Sequence, residues 1–367
     1  MNTIQMITKP EEIEGLGGDE DASWGDYPID TLLIRNENRT VHDILRRIEK
    51  GSFVMDPEFQ RDFIWPDDKQ SKLIESVLMR IPLPVFYLAE DKQGRMVVVD
   101  GLQRLSTFQR FVNNELRLKL PKQAELKNKR FRDISPKLQN RIEDCNLILY
   151  IIDAKVPERA RLDIFERVNS GVPLTRQQMR NSLYTGIATR FLKKESATEL
   201  FLKATGKSLK ASTMRDREFV NRFCSFHLLP LEEYRGSMDD FLAQGLQKMN
   251  NCTQGELQKL SAQFRTSLAN NFKVFGIHAF RKYTKAQQSR SVINASLWDV
   301  MSTGLSHYPE HIVEVRSEAL MKGFYRIMDD DNFIRAITYS TNDVKKVKER
   351  FYLAKQMFQE VFNDQQT

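Results

Sequence analysis

Met96-Val97-Val98-Val99-Asp100-Gly101-Leu102-Gln103-Arg104-Leu105-Ser106-Thr107-Phe108 is the stretch on which the reading of this chain turns. Met96 to Val99 is an apolar run with three Val, and β-branched side chains suit a pleated interior, so it reads as a short buried strand. Asp100-Gly101 breaks the run. Leu102, Leu105, Phe108 and Val112, with Phe111 beside them, then recur at helical spacing and predict a helix from Leu102. A strand that turns through Gly into a helix leaves free backbone N–H groups and the positive end of the helix dipole at one point. Such a point favours a phosphate, and Gly101 lets the backbone come close to one. Arg104 adds a forked, permanently charged donor one turn in. Asp100 is a candidate metal ligand, and Gln103 is placed to orient a water. A plainer reading stands level with this one: an ordinary strand–turn–helix with Asp100 as N-cap and Arg104 in solvent.

Upstream, Val85 to Ala89 pairs with Met96 to Val99 as a hairpin around Lys92-Gln93-Gly94. Before it, Pro66-Asp67-Asp68 opens a helix with Leu73, Ile74, Val77 and Leu78 on its apolar face, and Pro82 and Pro84 end it. The loop from Asp56 to Trp65 is dense in polar and aromatic groups, and loops carry function more often than cores do. Phe53-Val54-Met55 reads as a strand, Thr40 as the N-cap of a helix ended by Gly51, and Thr31 to Ile34 as a further strand.

Downstream, Lys119 to Arg141 is strongly basic, with Lys127, Lys129, Arg130 and Arg132 at its centre and Phe131 as its one aromatic. It reads as a loop followed by a short helix from Ser135. Cys145 to Ile152 is another buried strand, Pro157 to Val168 a helix, and Thr175 caps the next helix. Beyond Tyr184 the chain reads as a succession of helices, with turns near Gly206, Gly236, Asn270-Asn271 and Tyr308-Pro309. The expected fold class is therefore α+β: an acidic mobile arm over 1–30, an α/β domain over 31–185, and a mostly helical domain over 186–367.

At 367 residues, 41% hydrophobic and 29% charged, the composition suits a soluble globular protein of two or three domains. No apolar run approaches a membrane span, the N-terminus has no secretion signal, and the three Cys form no CxxC pair. These features point to a reducing, cytoplasmic location without a membrane partner. The net charge of +7 is uneven, because residues 1–30 hold one Lys and eight Asp or Glu, which leaves +14 on the remainder. A basic body is consistent with binding nucleic acid, and equally with a solvated Lys-rich surface. Arg281, Lys282 and Lys285 form a second basic group that could contact DNA.

Two catalytic near-matches fail on physical grounds. Gly206-Lys207-Ser208 resembles the end of a phosphate-binding P-loop, but Phe201 stands where that motif needs Gly. His307-Tyr308-Pro309-Glu310-His311 fits a metalloprotease spacing, but Pro309 breaks the helix that would put both His on one face. No His-Asn-His nuclease arrangement stands out.

Taken together and in order, several blocks resemble the N-terminal domain of GmrSD-type modification-dependent restriction enzymes, within the ParB/sulfiredoxin-like superfamily. The blocks are Pro57-Glu58-Phe59-Gln60-Arg61 with Trp65, Ile81-Pro82-Leu83-Pro84, Val99-Asp100-Gly101-Leu102-Gln103-Arg104, Phe165 to Gly171, and Met214-Arg215-Asp216-Arg217 to Phe223. The resemblance implies a ParB/sulfiredoxin-like nucleotide-binding domain whose Gly-x-x-Arg turn contacts phosphate, acting in systems that restrict phage or modified DNA. Carried over by position, Asp100, Gly101, Leu102, Gln103 and Arg104 form the phosphate site, Gln60 and Arg61 face it, and Asn169 and Ser170 complete its rim. Leu102 replaces the Gln common at its position. The C-terminal His-Asn-His nuclease domain of the family has no counterpart, so nuclease activity is not expected of this chain.

The resulting expectation is a nucleotide-binding, NTP-hydrolysing regulator or sensor, with NTP and Mg²⁺ bound, and DNA or a separate effector or nuclease subunit as partner. In that scheme Asp100, Gln103 and Arg104 are catalytic. The rival expectation is a non-catalytic clamp that holds nucleotide or DNA phosphate without turnover.

Overall fold

The computed structural model describes residues 13–16, 34–55, 65–91, 93–156, 158–168, 175–284 and 289–362. It divides into two compact units, one of residues 26–185 and one of residues 186–367 together with 1–25. The first is α/β and the second is mostly helical.

The α/β unit is built on a mixed five-stranded sheet. Its strands are β1 (Ile34–Thr40), β2 (Phe53–Val54), β3 (Phe86–Glu90), β4 (Met96–Asp100) and β5 (Asn146–Ile152), in the spatial order β1-β5-β3-β4-β2. β1 and β5 are antiparallel, β5 and β3 parallel, β3 and β4 the antiparallel hairpin, and β4 and β2 parallel. The residue alternation of β3 and β4 feeds two cores, because successive side chains point to opposite faces. Phe86, Leu88 and Val98 join one core with α1 (Val41–Glu49), α2 (Asp67–Leu78), α3 (Leu102–Val112) and α4 (Pro136–Glu143). Ala89 and Val99 join the other, with Ala160, Leu162 and Phe165 of α5 (Glu158–Val168) and Met179 and Leu183 of α6 (Arg176–Leu183). A sheet covered on both faces explains the continuous apolar runs of the sequence.

Local signals set most boundaries. The Thr40 hydroxyl accepts from the Asp43 N–H at 3.2 Å and starts α1. Thr175 caps α6 through a box with Gln178. Two readings need comment. The strand expected over Thr31 to Ile34 is described only at Ile34, where β1 begins and runs to Thr40; Thr31 to Leu33 lie outside the described residues. Its sequence, Ile-Arg-Asn-Glu-Asn-Arg-Thr, is polar because β1 is an edge strand, with Arg35, Glu37 and Arg39 joined in ion pairs on one side. The strand read as wholly buried, β5, alternates instead, with Ile148 42% exposed between the buried Leu147 and Leu149.

The helical unit runs from α7 (Ile187–Ser196) through α8 (Glu199–Thr205), α9 (Arg215–Leu228), α10 (Met238–Asn250) and α11 (Gln254–Phe275). It continues through α12 (Ala295–Leu305), α13 (Glu310–Val315), α14 (Ser317–Met328), α15 (Asp331–Thr338) and α16 (Val344–Phe362). Trp298 of α12 is fully buried among Phe201, Phe219, Phe264 and Phe280, and its Nε1 donates to the Phe219 carbonyl at 2.8 Å. The turn expected at Asn270-Asn271 is absent: both residues lie inside α11 and are fully buried. Their carboxamides donate to the carbonyls of Leu305 and Tyr308, and of Ser267 and Met301. Asn is a turn residue by local preference, and here tertiary acceptors override that preference. Of the acidic arm, residues 13–16 are ordered against the helical unit: Glu14 bridges to Asn294 and pairs with Lys282, and the Thr341 hydroxyl donates to the Gly15 carbonyl at 3.0 Å. The rest of the arm lies outside the described residues.

Candidate functional site

β4 ends at Asp100, the chain turns through Gly101, and α3 begins at Leu102. Gly101, not Asp100, is the N-cap, with φ of 101° in the left-handed region and no side-chain hydrogen bond to the first turn. Among the described residues the amides of that turn therefore have no side-chain cap, and α3 points its positive end at the turn. A Cβ at Gly101 would stand 2.2 Å from Phe86 Cδ1, so glycine is required by packing as well as by φ.

Arg104 departs from both readings of the sequence. It is 7% exposed, so it is not in solvent, and its guanidinium is engaged within its own domain. Nη1 donates to the Pro84 carbonyl, while Nη2 donates to the Val85 carbonyl at 3.0 Å and to Asp100 Oδ2 at 2.7 Å. The guanidinium also sits 4.1 Å over the Phe86 ring. Burial pushes the Arg104 pKa down and Asp100 opposes that shift. The group stays charged, as arginine does in proteins. Arg104 thus ties the turn to the entry of β3, and Asp100 is its counter-ion.

Leu102 packs its side chain against the core, leaving only its amide at the turn. Gln103 Oε1 accepts the Trp65 N–H at 3.0 Å, and its amide nitrogen meets no partner among the described residues. Beyond Gln103 the outer face of α3 borders an open groove of about 350 Å³, lined by Gln70, Gln103, Thr107, Gln109, Arg110 and Asn113, with Glu115 at its end. Gln70 spans its floor, donating to the Trp65 carbonyl and accepting from Arg110 Nη1 at 2.8 Å. The sequence reading missed this groove. Its signal was the polar row Gln103, Thr107, Arg110, opposite the apolar row Leu105, Phe108, Phe111 on the same helix.

The structure brings Asp100, Gly101, Gln103 and Arg104 together. Gln60, Arg61, Asn169, Ser170 and Lys285 lie outside the described residues. Among the described residues no group of three or more His, Cys, Asp or Glu is clustered to hold a metal ion.

The basic residues divide. Lys127, Lys129 and Arg132 are exposed and Arg130 is half-buried, whereas Phe131 packs edge-on against Phe111 at 5.8 Å and is not a stacking platform for bases. Arg281 is a correction: it is fully buried, donating to the Ala279 and Thr205 carbonyls and the Ser208 hydroxyl, so it cannot reach DNA. Lys282 is paired with Glu14 and bonded to the Thr338 hydroxyl at 2.7 Å. A basic dipeptide in sequence is here an internal tie, because buried helix-end carbonyls need donors.

Residues 41–185 match the family model described as the GmrSD restriction endonuclease, N-terminal domain. The matched segment is the one in which the motif order resembles that family. No curated protein and no solved structure matches the chain. Among the described residues no helix is long and apolar enough to cross a membrane.

Proposed function

We propose that this chain, whose residues 41–185 match the GmrSD N-terminal domain, binds a nucleoside triphosphate at the Gly101 turn and hydrolyses it as a regulatory step in restriction. The observation that carries this reading is the amino end of α3, where a strand end, a left-handed glycine and amides without a side-chain cap among the described residues meet. The amides of Leu102 to Arg104 take phosphate oxygens, and Gln103, whose side chain lies at that end of the helix, orients the attacking water.

Arg104 holds the turn in shape from beneath and does not itself clamp the phosphate. Asp100 keeps one carboxylate oxygen on Arg104, and its side chain is 34% exposed. A single carboxylate beside a polyphosphate fits Mg²⁺, which is often held by one protein carboxylate plus phosphate oxygens and water. That ion would neutralise charge developing on the transferred phosphoryl group.

The test is phosphate release from ATP, GTP, CTP and UTP with Mg²⁺, for wild type and Gln103→Ala. Turnover in the wild type that falls at least about tenfold in the variant, with nucleotide affinity retained, supports the reading. Nucleotide binding without turnover by the wild type overturns the hydrolytic part. The exposed Lys127, Lys129 and Arg132 favour a second reading, a DNA-phosphate clamp. A steep fall in DNA affinity with salt, lost in the triple alanine variant and accompanied by no turnover, is its signature.

A further inference from the structure

The groove along α3 has a chemistry of its own. Gln109, half-buried, and Asn113, exposed and four residues on, also line it, and neither side chain meets a hydrogen-bond partner among the described residues. Gln70 and Thr107, by contrast, are buried and held: Gln70 between the Trp65 carbonyl and Arg110, and the Thr107 hydroxyl on the Gln103 carbonyl at 2.7 Å. The groove is therefore a fixed floor with unpartnered carboxamides at its rim.

The charges narrow what fits. Arg110, the cation in the groove, is already shared between Gln70 and Asp67, the latter at 3.6 Å, and Glu115 adds a negative charge at the end. An anion gains little there, and the walls combine polar head groups with the aliphatic stems of the same side chains. A neutral group with neighbouring donors and acceptors fits, because a carboxamide presents one of each side by side. A volume of about 350 Å³ admits a planar heterocycle. Gln103 belongs to both the groove and the turn, and Asn113 lies ten residues on, roughly 15 Å along the helix. A ligand seated in the groove can therefore be continuous with phosphates at the amino end of α3.

We infer that this groove receives the nucleobase of the bound nucleotide, with Gln109 and Asn113 hydrogen-bonding the edge of the base. The inference rests on the phosphate reading of the Gly101 turn and adds the element that distinguishes one base from another. Carboxamides read base edges in this manner elsewhere in recognition chemistry.

The experiment is equilibrium binding of ATP, GTP, CTP, UTP and inorganic tripolyphosphate to wild type and to the Gln109→Ala/Asn113→Ala double variant. Neither side chain has a partner to lose among the described residues, so the variant is expected to keep the fold, which circular dichroism checks. The expected result is a base preference in the wild type. The double variant then loses roughly tenfold or more in affinity for the preferred nucleotide and most of the preference, and binds tripolyphosphate as the wild type does. Three outcomes overturn the base site and leave the phosphate reading standing. The first is a variant with wild-type affinity for every nucleotide, and the second is an equal loss for tripolyphosphate. The third is a wild type that binds tripolyphosphate and all four nucleotides alike. A wild type that binds none of these ligands overturns both readings.

Discussion

Arg104 shows how one residue can occupy a motif and serve it indirectly. Its three acceptors, the Pro84 and Val85 carbonyls and Asp100, leave the sheet with unsatisfied groups if the guanidinium is removed. Arg104→Ala is expected to lower stability by about 3 kcal/mol, because a buried charge-assisted network loses its cation. Urea unfolding followed by circular dichroism measures this, and an unchanged midpoint would return Arg104 to the role of free phosphate ligand. Gly101→Ala is expected to cost a similar amount, about 3 kcal/mol, from overpacking against Phe86 and from the left-handed φ. The motif made Asp100, Gly101, Gln103 and Arg104 legible as a unit. It could not reveal that Arg104 faces inward, since its carbonyl partners lie about twenty residues upstream and only the hairpin brings them near.

At the scale of elements, capping chemistry was the most legible feature. Thr175 receives the Gln178 N–H at 3.3 Å and Gln178 Oε1 accepts the Thr175 N–H at 2.7 Å, a reciprocal pair. Thr175→Ala is expected to destabilise the α/β unit by about 1 kcal/mol, read as a lowered denaturation midpoint with unchanged m-value. Two elements escaped the same logic. β1 carries no apolar run, because an edge strand held by ion pairs needs none. Asn270 and Asn271 carry a turn signature yet sit within α11, where their side chains satisfy carbonyls of α12 and of the residues after it. The strand that β1 pairs with, β5, and the carbonyls that Asn270 and Asn271 reach are all remote in sequence, so no local window contains them.

Across the whole molecule, buried charge sets the expected weaknesses. Within the helical unit, Arg222 makes two bonds to Asp299, at 2.8 and 2.7 Å, and Arg350 Nη2 makes a third at 2.9 Å, all three residues being fully or almost fully buried. One carboxylate thus faces two guanidinium groups. Asp299→Ala strands both, and breaking such a pair costs about 3–5 kcal/mol, a large part of a domain's stability. The variant is expected to be insoluble or to unfold at markedly lower urea. His227 gives a pH dependence. Its ring stacks on Phe223 and His307 and its Nε2 meets Gln263 at 2.9 Å. Burial, helped by the neighbouring His307, holds its pKa below the ordinary histidine value, and Gln263 opposes this in part. A lowered folded-state pKa means that the neutral ring stabilises the fold above about pH 6.5, the unfolded value, and that this contribution is lost as pH falls through the folded value. The melting temperature is therefore expected to fall on acidification from about pH 7.5 to 5.5, and less so in His227→Phe.

The sequence by itself determined most of the elements, the capped helix starts, the strand–Gly–helix turn and the family match of residues 41–185, because periodicity, capping and motif order are properties of neighbours along the chain. Only the tertiary structure decided which charges are available. It turned Arg104 and Arg281 inward, left Lys127, Lys129 and Arg132 outside, and set Gln109 and Asn113 in one groove with Gln103. The physical reason is that burying a charge or a polar group is tolerated only where partners meet it, and those partners arrive from distant segments when the sheet and the bundle close.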